Sequence, residues 1–130
     1  MSIRVGAAIV NLLSGDQVLT SKIGDKIFPI KAMDDTTFPY IAYRRKGLIP
    51  AYTKQTNSVE DSVFIDIAIV AESYSQTLGI ANDVLRVLDR KRGLFSGVNV
   101  TDIRVSDSEE QADEVYMQRL EFEIFINKLK

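Results

Sequence analysis

From Ser2 the apolar residues fall at Val5, Ala8, Ile9, Leu12 and Leu13. Spacings of three and four place one apolar stripe along a helix, so the pattern predicts a first helix of about three turns, with Ser2 as N-cap and Gly15 as its stop. Between Gly15 and Asp25 the apolar residues are few and turn residues recur, which reads as an irregular connector. Ile27-Phe28-Pro29-Ile30 is extended by composition, but Pro29 has no N–H for a central ladder, which assigns the piece to a sheet edge or a crossing loop.

A strand is expected to begin just after Pro39, at Tyr40-Ile41-Ala42-Tyr43-Arg44, where aromatic and β-branched residues follow one another. From Arg45 to Ser58 glycine, proline and polar residues dominate, and strand pairing is expected to lapse into a loop or a long hairpin. Val63 to Val70 is the strongest strand pattern: Val63, Ile65, Ile67 and Ile69 alternate with Phe64, Asp66, Ala68 and Val70. Both faces are mostly apolar, which predicts a central position.

Ser73-Tyr74-Ser75-Gln76 then has the capping-box arrangement, and Leu78, Ala81, Val84, Leu85 and Leu88 form a helical stripe. Arg90-Lys91-Arg92-Gly93 supplies cations for the negative end of the dipole and a glycine for a left-handed cap. Val98 to Val105 and Tyr116 to Ile126 read as two further strands. The second has Leu120, Phe122, Ile124 and Ile126 alternating with Arg119, Glu121, Glu123 and Phe125.

The predicted fold is therefore α+β, with two helices packed on a mainly antiparallel sheet in the order αββαββ, and a single domain over 1–130. Val63, Ile65, Ile67, Ile69, Leu78, Leu85, Leu88, Leu120, Phe122 and Ile124 are its expected core.

Composition narrows the chemistry. Histidine and cysteine are both absent, which removes disulfides, thiolate nucleophiles, Cys/His zinc sites and the commonest general base. A net charge of −2 supplies no bulk positive field toward nucleic acid or anionic membrane. No apolar run approaches the roughly 18 residues that span a bilayer, and the start Val5–Leu13 lacks a signal-peptide cleavage pattern. The chain is expected to be cytosolic at synthesis, so Asn99-Val100-Thr101 reads as a chance match to a glycosylation acceptor.

Gly93-Leu94-Phe95-Ser96-Gly97 has its serine one position late for a nucleophile elbow, and no histidine exists to activate it. Glu121 and Glu123 share a strand face, with Arg119 beside them, and read as a solvated, ion-paired surface. Asp66 falls within an apolar strand and requires a basic side chain or an assembly partner. No catalysis, cofactor or metal is expected.

Two charged segments remain. Arg44-Arg45-Lys46, near Tyr40 and Tyr43, is a basic and aromatic cluster that reads as a surface or subunit contact. Ser106 to Glu114 carries Asp107, Glu109, Glu110, Asp113 and Glu114 with no cation, which predicts a solvated tip. Segments 45–61 and 106–114 are expected to be mobile in the free subunit and to order on assembly. There the acidic tip would face Arg44-Arg45-Lys46 or Arg90-Lys91-Arg92 of an adjacent copy.

Three pieces in order, Lys26–Ile30 with Thr37–Tyr43, Val63–Val70 running into Ser73-Tyr74-Ser75, and the helix Gln76–Leu88, resemble the tail completion, or tail-to-head joining, proteins of long-tailed bacteriophages and prophages. The likeness spans residues 1 to 95. It implies a structural, non-enzymatic virion protein forming a ring, typically hexameric, at the head-proximal end of the tail. Its partners would be itself, the tail tube protein and a head-neck connector protein, with no membrane and no specific nucleic acid. It would be found in the virion tail and, during assembly, in the bacterial cytoplasm. The competing reading is a small cytosolic α+β module binding a ligand or nucleic acid, which a deep pocket in a monomer would favour.

Overall fold

The computed structural model describes residues 2–50 and 60–127. A 3-10 turn, Ser2–Arg4, leads into α1 (Val5–Ser14), followed by α2 (Gln17–Ile23), β1 (Ile27–Pro29), β2 (Tyr40–Ile49), β3 (Glu60–Ala71), α3 (Tyr74–Leu88), β4 (Gly93–Phe95), β5 (Val98–Ala112) and β6 (Tyr116–Asn127). The fold is α+β, but with three helices and six strands among the described residues, and not the two-helix αββαββ order expected from the pattern.

The additional helix is α2. Asp16 caps it by accepting the Leu19 N–H at 3.0 Å, and Leu19 and Ile23, four residues apart, are both buried. A helix of two turns with only two apolar anchors leaves too short a period to stand out from a connector. Arg86 donates both guanidinium nitrogens to Asp16, at 3.0 and 2.8 Å. These bonds, with the Leu19 amide, bring the Asp16 carboxyl down from 3.8 to about 2.

The other boundaries shift for local reasons. The 3-10 turn moves the N-cap of α1 from Ser2 to Arg4, which makes no side-chain cap bond. At α3, Ser73 accepts the Gln76 N–H as expected, at 3.1 Å. This helix ends at Leu88, before the cationic run: Asp89 is extended, Arg90 takes the left-handed turn at φ 62°, and its N–H donates to Ile103. Gly93 then opens β4.

The sheet order is β1-β2-β3-β6-β5-β4. β1 lies parallel to β2 at one edge, as Pro29 requires, and every other pairing is antiparallel. β3 pairs with β6 from Glu60↔Asn127 to Ala71↔Tyr116 without interruption. Val63, Ile65, Ile67 and Ile69 form one core with Leu120, Phe122 and Ile124 of β6, Val5, Ile9 and Leu13 of α1, and Ile80, Val84 and Leu88 of α3. α1 approaches β2 closely at Gly6, where a Cβ would stand 2.9 Å from the Tyr43 ring.

Two expected core positions differ: Leu78 is 44% exposed and Leu85 only half-buried. The buried stripe of α3 runs through Thr77, Ile80, Ala81, Val84 and Leu88, so Leu78 falls on the solvent side. Ile67→Ala is expected to cost about 2–5 kcal/mol through lost transfer energy and a residual cavity. Leu78→Ala should stay within about 1 kcal/mol. Denaturant unfolding of the two variants checks both values.

Candidate functional site

The core uses one face of the sheet. On the opposite face, strand register brings Arg44 of β2, Asp66 of β3, Glu121 of β6 and Asp107 of β5 into one transverse row. Ala42, Ala68, Arg119 and Glu109 form the next row. Side chains directly opposite on adjacent strands lie within reach of one another, so alternating charge across a row gives ion pairs. Arg44 pairs with Asp66 at 3.2 Å, Lys46 with Glu121 at 2.6 Å and Arg119 with Glu109 at 2.8 Å.

Two bulges shape this surface. Lys46 is the extra residue between Arg45 and Gly47 of β2, and Ser106 the extra residue between Val105 and Asp107 of β5. The Ser106 hydroxyl donates to Glu121 Oε1 at 2.7 Å, so two bulge residues converge on one carboxylate. The Lys46 bond and then the Ser106 hydroxyl hold the Glu121 carboxyl below its ordinary value of 4.5, and the same bond to Glu121 raises Lys46.

Arg44, Lys46, Asp66, Asp107, Arg119 and Glu121 line a half-open cleft of about 160 Å³. At its floor the Asp66 side chain is only 10% exposed. One of its carboxylate oxygens receives Arg44, while the other, Oδ1, is buried with no hydrogen-bond partner among the described residues. The basic side chain anticipated for Asp66 is thus present. A buried carboxylate oxygen that lacks a donor is costly, and marks a place where an incoming N–H donor gains most.

The expected basic cluster is split by strand alternation. Arg44 and Lys46 turn to the charged face, and Arg45 turns to the helix side, where it donates to the Ile3 carbonyl at 3.2 Å. The acidic segment differs more from expectation: residues 106–112 continue β5, and only the tip at 113–115 is a turn. Their all-polar composition hides the alternation. Pairing to β6 extends them, with Glu109 bound to Arg119 and Glu110 accepting from Gln118 at 2.9 Å and from the Tyr74 hydroxyl at 2.9 Å.

The Gln118 and Tyr74 bonds lower the Glu110 carboxyl, and the Glu110 bond raises the Tyr74 hydroxyl. Asp113 and Glu114 are exposed at the tip. Residues 45–49 likewise belong to β2, and residues 60 and 61 to β3; Pro50 follows β2 outside any element, and residues 51–59 of the expected segment lie outside the described residues. Arg90 is engaged by Asp102 at 2.8 Å. Sequence reasoning singled out Asp66 by itself, and Glu121 and Glu123 with Arg119 beside them. It missed their convergence with Ser106 and Lys46, which needs the register and both bulges.

The described residues contain no group of three or more acidic, histidine or cysteine side chains placed to hold a metal. No described helix is long and apolar enough to cross a membrane. The described residues thus form a two-layer α+β unit with one core face and one face of cross-strand ion pairs. The chain belongs to the family described as Tail completion protein gp17, whose sequence pattern matches residues 7–127.

Among curated proteins, none matches the sequence. Matching solved structures include a chain of the virion of a native gene transfer agent particle, with 14% identity, 92% of each chain covered and a TM-score of 0.78. That likeness concerns the fold. Family membership makes this chain a structural bacteriophage protein that completes the tail, and not an enzyme.

Glu121 supplies a pH test of the charged face. A carboxyl lowered by folding adds stability above its unfolded pKa and loses it as pH falls through the folded value. Lys46, raised by the same contact, adds stability below its ordinary value of 10.5 and loses it as pH rises through the folded one. Glu121→Gln is therefore expected to melt below the wild type by a constant margin between about pH 5 and pH 10, closing toward acid pH as the wild-type carboxyl protonates. Thermal melts across that range read the margin directly.

Proposed function

We propose that the protein acts as a ring-forming subunit, hexameric when assembled, that seats on the head-proximal end of the tail tube and joins it to the head. It works as a single domain, contacts the tail tube protein on one side and a head-neck connector on the other, and assembles in the bacterial cytoplasm before remaining in the virion tail. Arg44, Arg45 and Lys46, with Asp107, Glu109, Glu110, Asp113 and Glu114, supply its assembly contacts.

The supporting observation is the segregation of charge across the sheet. The basic run lies on β2 at one side, and the acidic run on β5 and its tip lies three strands away. A surface that is basic on one flank and acidic on the other favours head-to-tail contact between copies, the contact type that closes into rings. Purified protein is expected to cap one end of isolated tail tubes under the electron microscope, and native mass spectrometry of the released cap should give six copies. Binding along the tube, or a monomer that leaves the tube end bare, would contradict the assignment.

A further inference from the structure

Among the described residues, the long strands β2 and β5 are each covered on the outer side over only part of their length. β1 covers β2 only along Ile41–Tyr43, and Ile30 donates to the Tyr43 carbonyl. Beyond Tyr43 no described strand lies on the outer side of β2. β4 covers β5 only along Val98–Val100, and Arg90 donates to Ile103. From Arg104 to Ala112, about 30 Å at the usual strand rise, the outer side of β5 has no described strand. An open edge of that length is a template for a further strand unless something blocks it.

The charge on each edge selects the partner. The free part of β2 carries Arg44, Arg45 and Lys46, and that of β5 carries Asp107, Glu109 and Glu110 beyond Arg104, which is paired with Asp102; Arg44, Lys46 and Glu109 keep their ion pairs within the chain while remaining exposed to a second partner. Like charges opposed across a ladder are destabilising, which disfavours β2 against β2 and β5 against β5. Unlike charges remain, so β2 of one copy suits β5 of the next.

Strand direction agrees. The long strands β2, β3, β6 and β5 alternate in direction, so β2 and β5 run oppositely and a rotated copy adds in antiparallel fashion. We propose that neighbouring subunits join by antiparallel pairing of the free edge of β2 with the free edge of β5, making one sheet continuous from copy to copy. This rests on the ring assignment above and names the contact that builds the ring.

The short strand sets the stagger. β1 occupies the outer side of β2 up to Tyr43 and stops the incoming strand there. The last part of β5 then lies along Arg44 to Leu48, with its tip turning away beside β1. Matching helix-side positions within that limit brings Arg45 opposite Glu110 and Leu48 opposite Ser108. The Lys46 bulge falls beside Glu109, whose side chain is 51% exposed despite its bond to Arg119 and so remains open to a second cation.

Because the chain has no cysteine, the contact can be trapped cleanly. Leu48 and Ser108 are both exposed, and within one chain their strands stand three strand spacings apart, about 14 Å. A disulfide requires Cα atoms within about 7 Å, so Leu48→Cys with Ser108→Cys can bridge only between copies. Oxidised on tail ends, this double variant is expected to give a ladder of linked chains up to the full ring on a non-reducing gel, collapsing on reduction. Neither single variant should leave the monomer position.

Leu48→Cys with Val105→Cys, displaced along the edge, should link far less. An intact ring by native mass spectrometry with no ladder from either double variant would overturn the edge pairing and leave the ring standing. Dimers from Ser108→Cys alone would show like edges meeting, and would also overturn it. Absence of both ring and ladder would remove the ring assignment itself.

Discussion

β3 is paired with β6 along its whole length and with β2 along nearly all of it, so its backbone is satisfied inside the sheet and only its side chains can meet the surroundings. One set of those side chains, Val63 to Ile69 in alternation, draws α1 and α3 onto the sheet. The other set includes Asp66, which cannot be buried without a cation and obtains Arg44 from the strand beside it. The same register that assembles the core therefore fixes the charged face. A shift of one residue would exchange the two faces and lose both.

From that register the remaining geometry follows by short steps. With β6 fixed against β3, β5 can pair only on the far side of β6, and each bulge moves the phase by one residue. Thr101 and Ser106 occupy the two irregularities of β5: the Thr101 hydroxyl meets the Glu60 carboxylate of β3 and lies 3.2 Å from the Phe125 carbonyl of β6, and the Ser106 hydroxyl donates to Glu121. The hairpin end is fastened to α3 by Tyr74, which stacks edge-on to Tyr116 with ring centres 6.0 Å apart and also holds Glu110. An acidic segment with almost no apolar residue is thereby kept in a regular strand by its neighbours.

This explains what the sequence reveals and what it conceals. Period-two alternation in Val63–Val70 and in 116–126, and the capped stripe of α3, are readable because each element carries its own apolar face. α2 and residues 106–112 carry no such pattern: the first is held by Asp16 and two leucine-like anchors, and the second by pairing to a strand that alternation alone identifies. The candidate site is concealed for the same reason. Asp66, Glu121 and Arg119 are each recognisable as charges in strands, but the distance between them is a property of three strands together, and the Lys46 and Ser106 bulges have no local signature.

The gene transfer agent chain is similar in fold at 14% identity; in this chain the visible demands of the fold are alternation on the central strands, the Ser73 cap of α3 and a small residue where α1 meets β2. The register places the charged face and gives Asp66 its Arg44, but it does not dictate the charges further along the outer strands. Residues that the fold leaves free are the ones through which partner choice can change while the core is kept. On this sheet they lie along β2 and β5, at exposed positions. The alternation of the core accounts for the fold, whereas Arg45 and Lys46 on β2 and Asp107, Glu109 and Glu110 on β5 stand at exposed positions that it does not dictate.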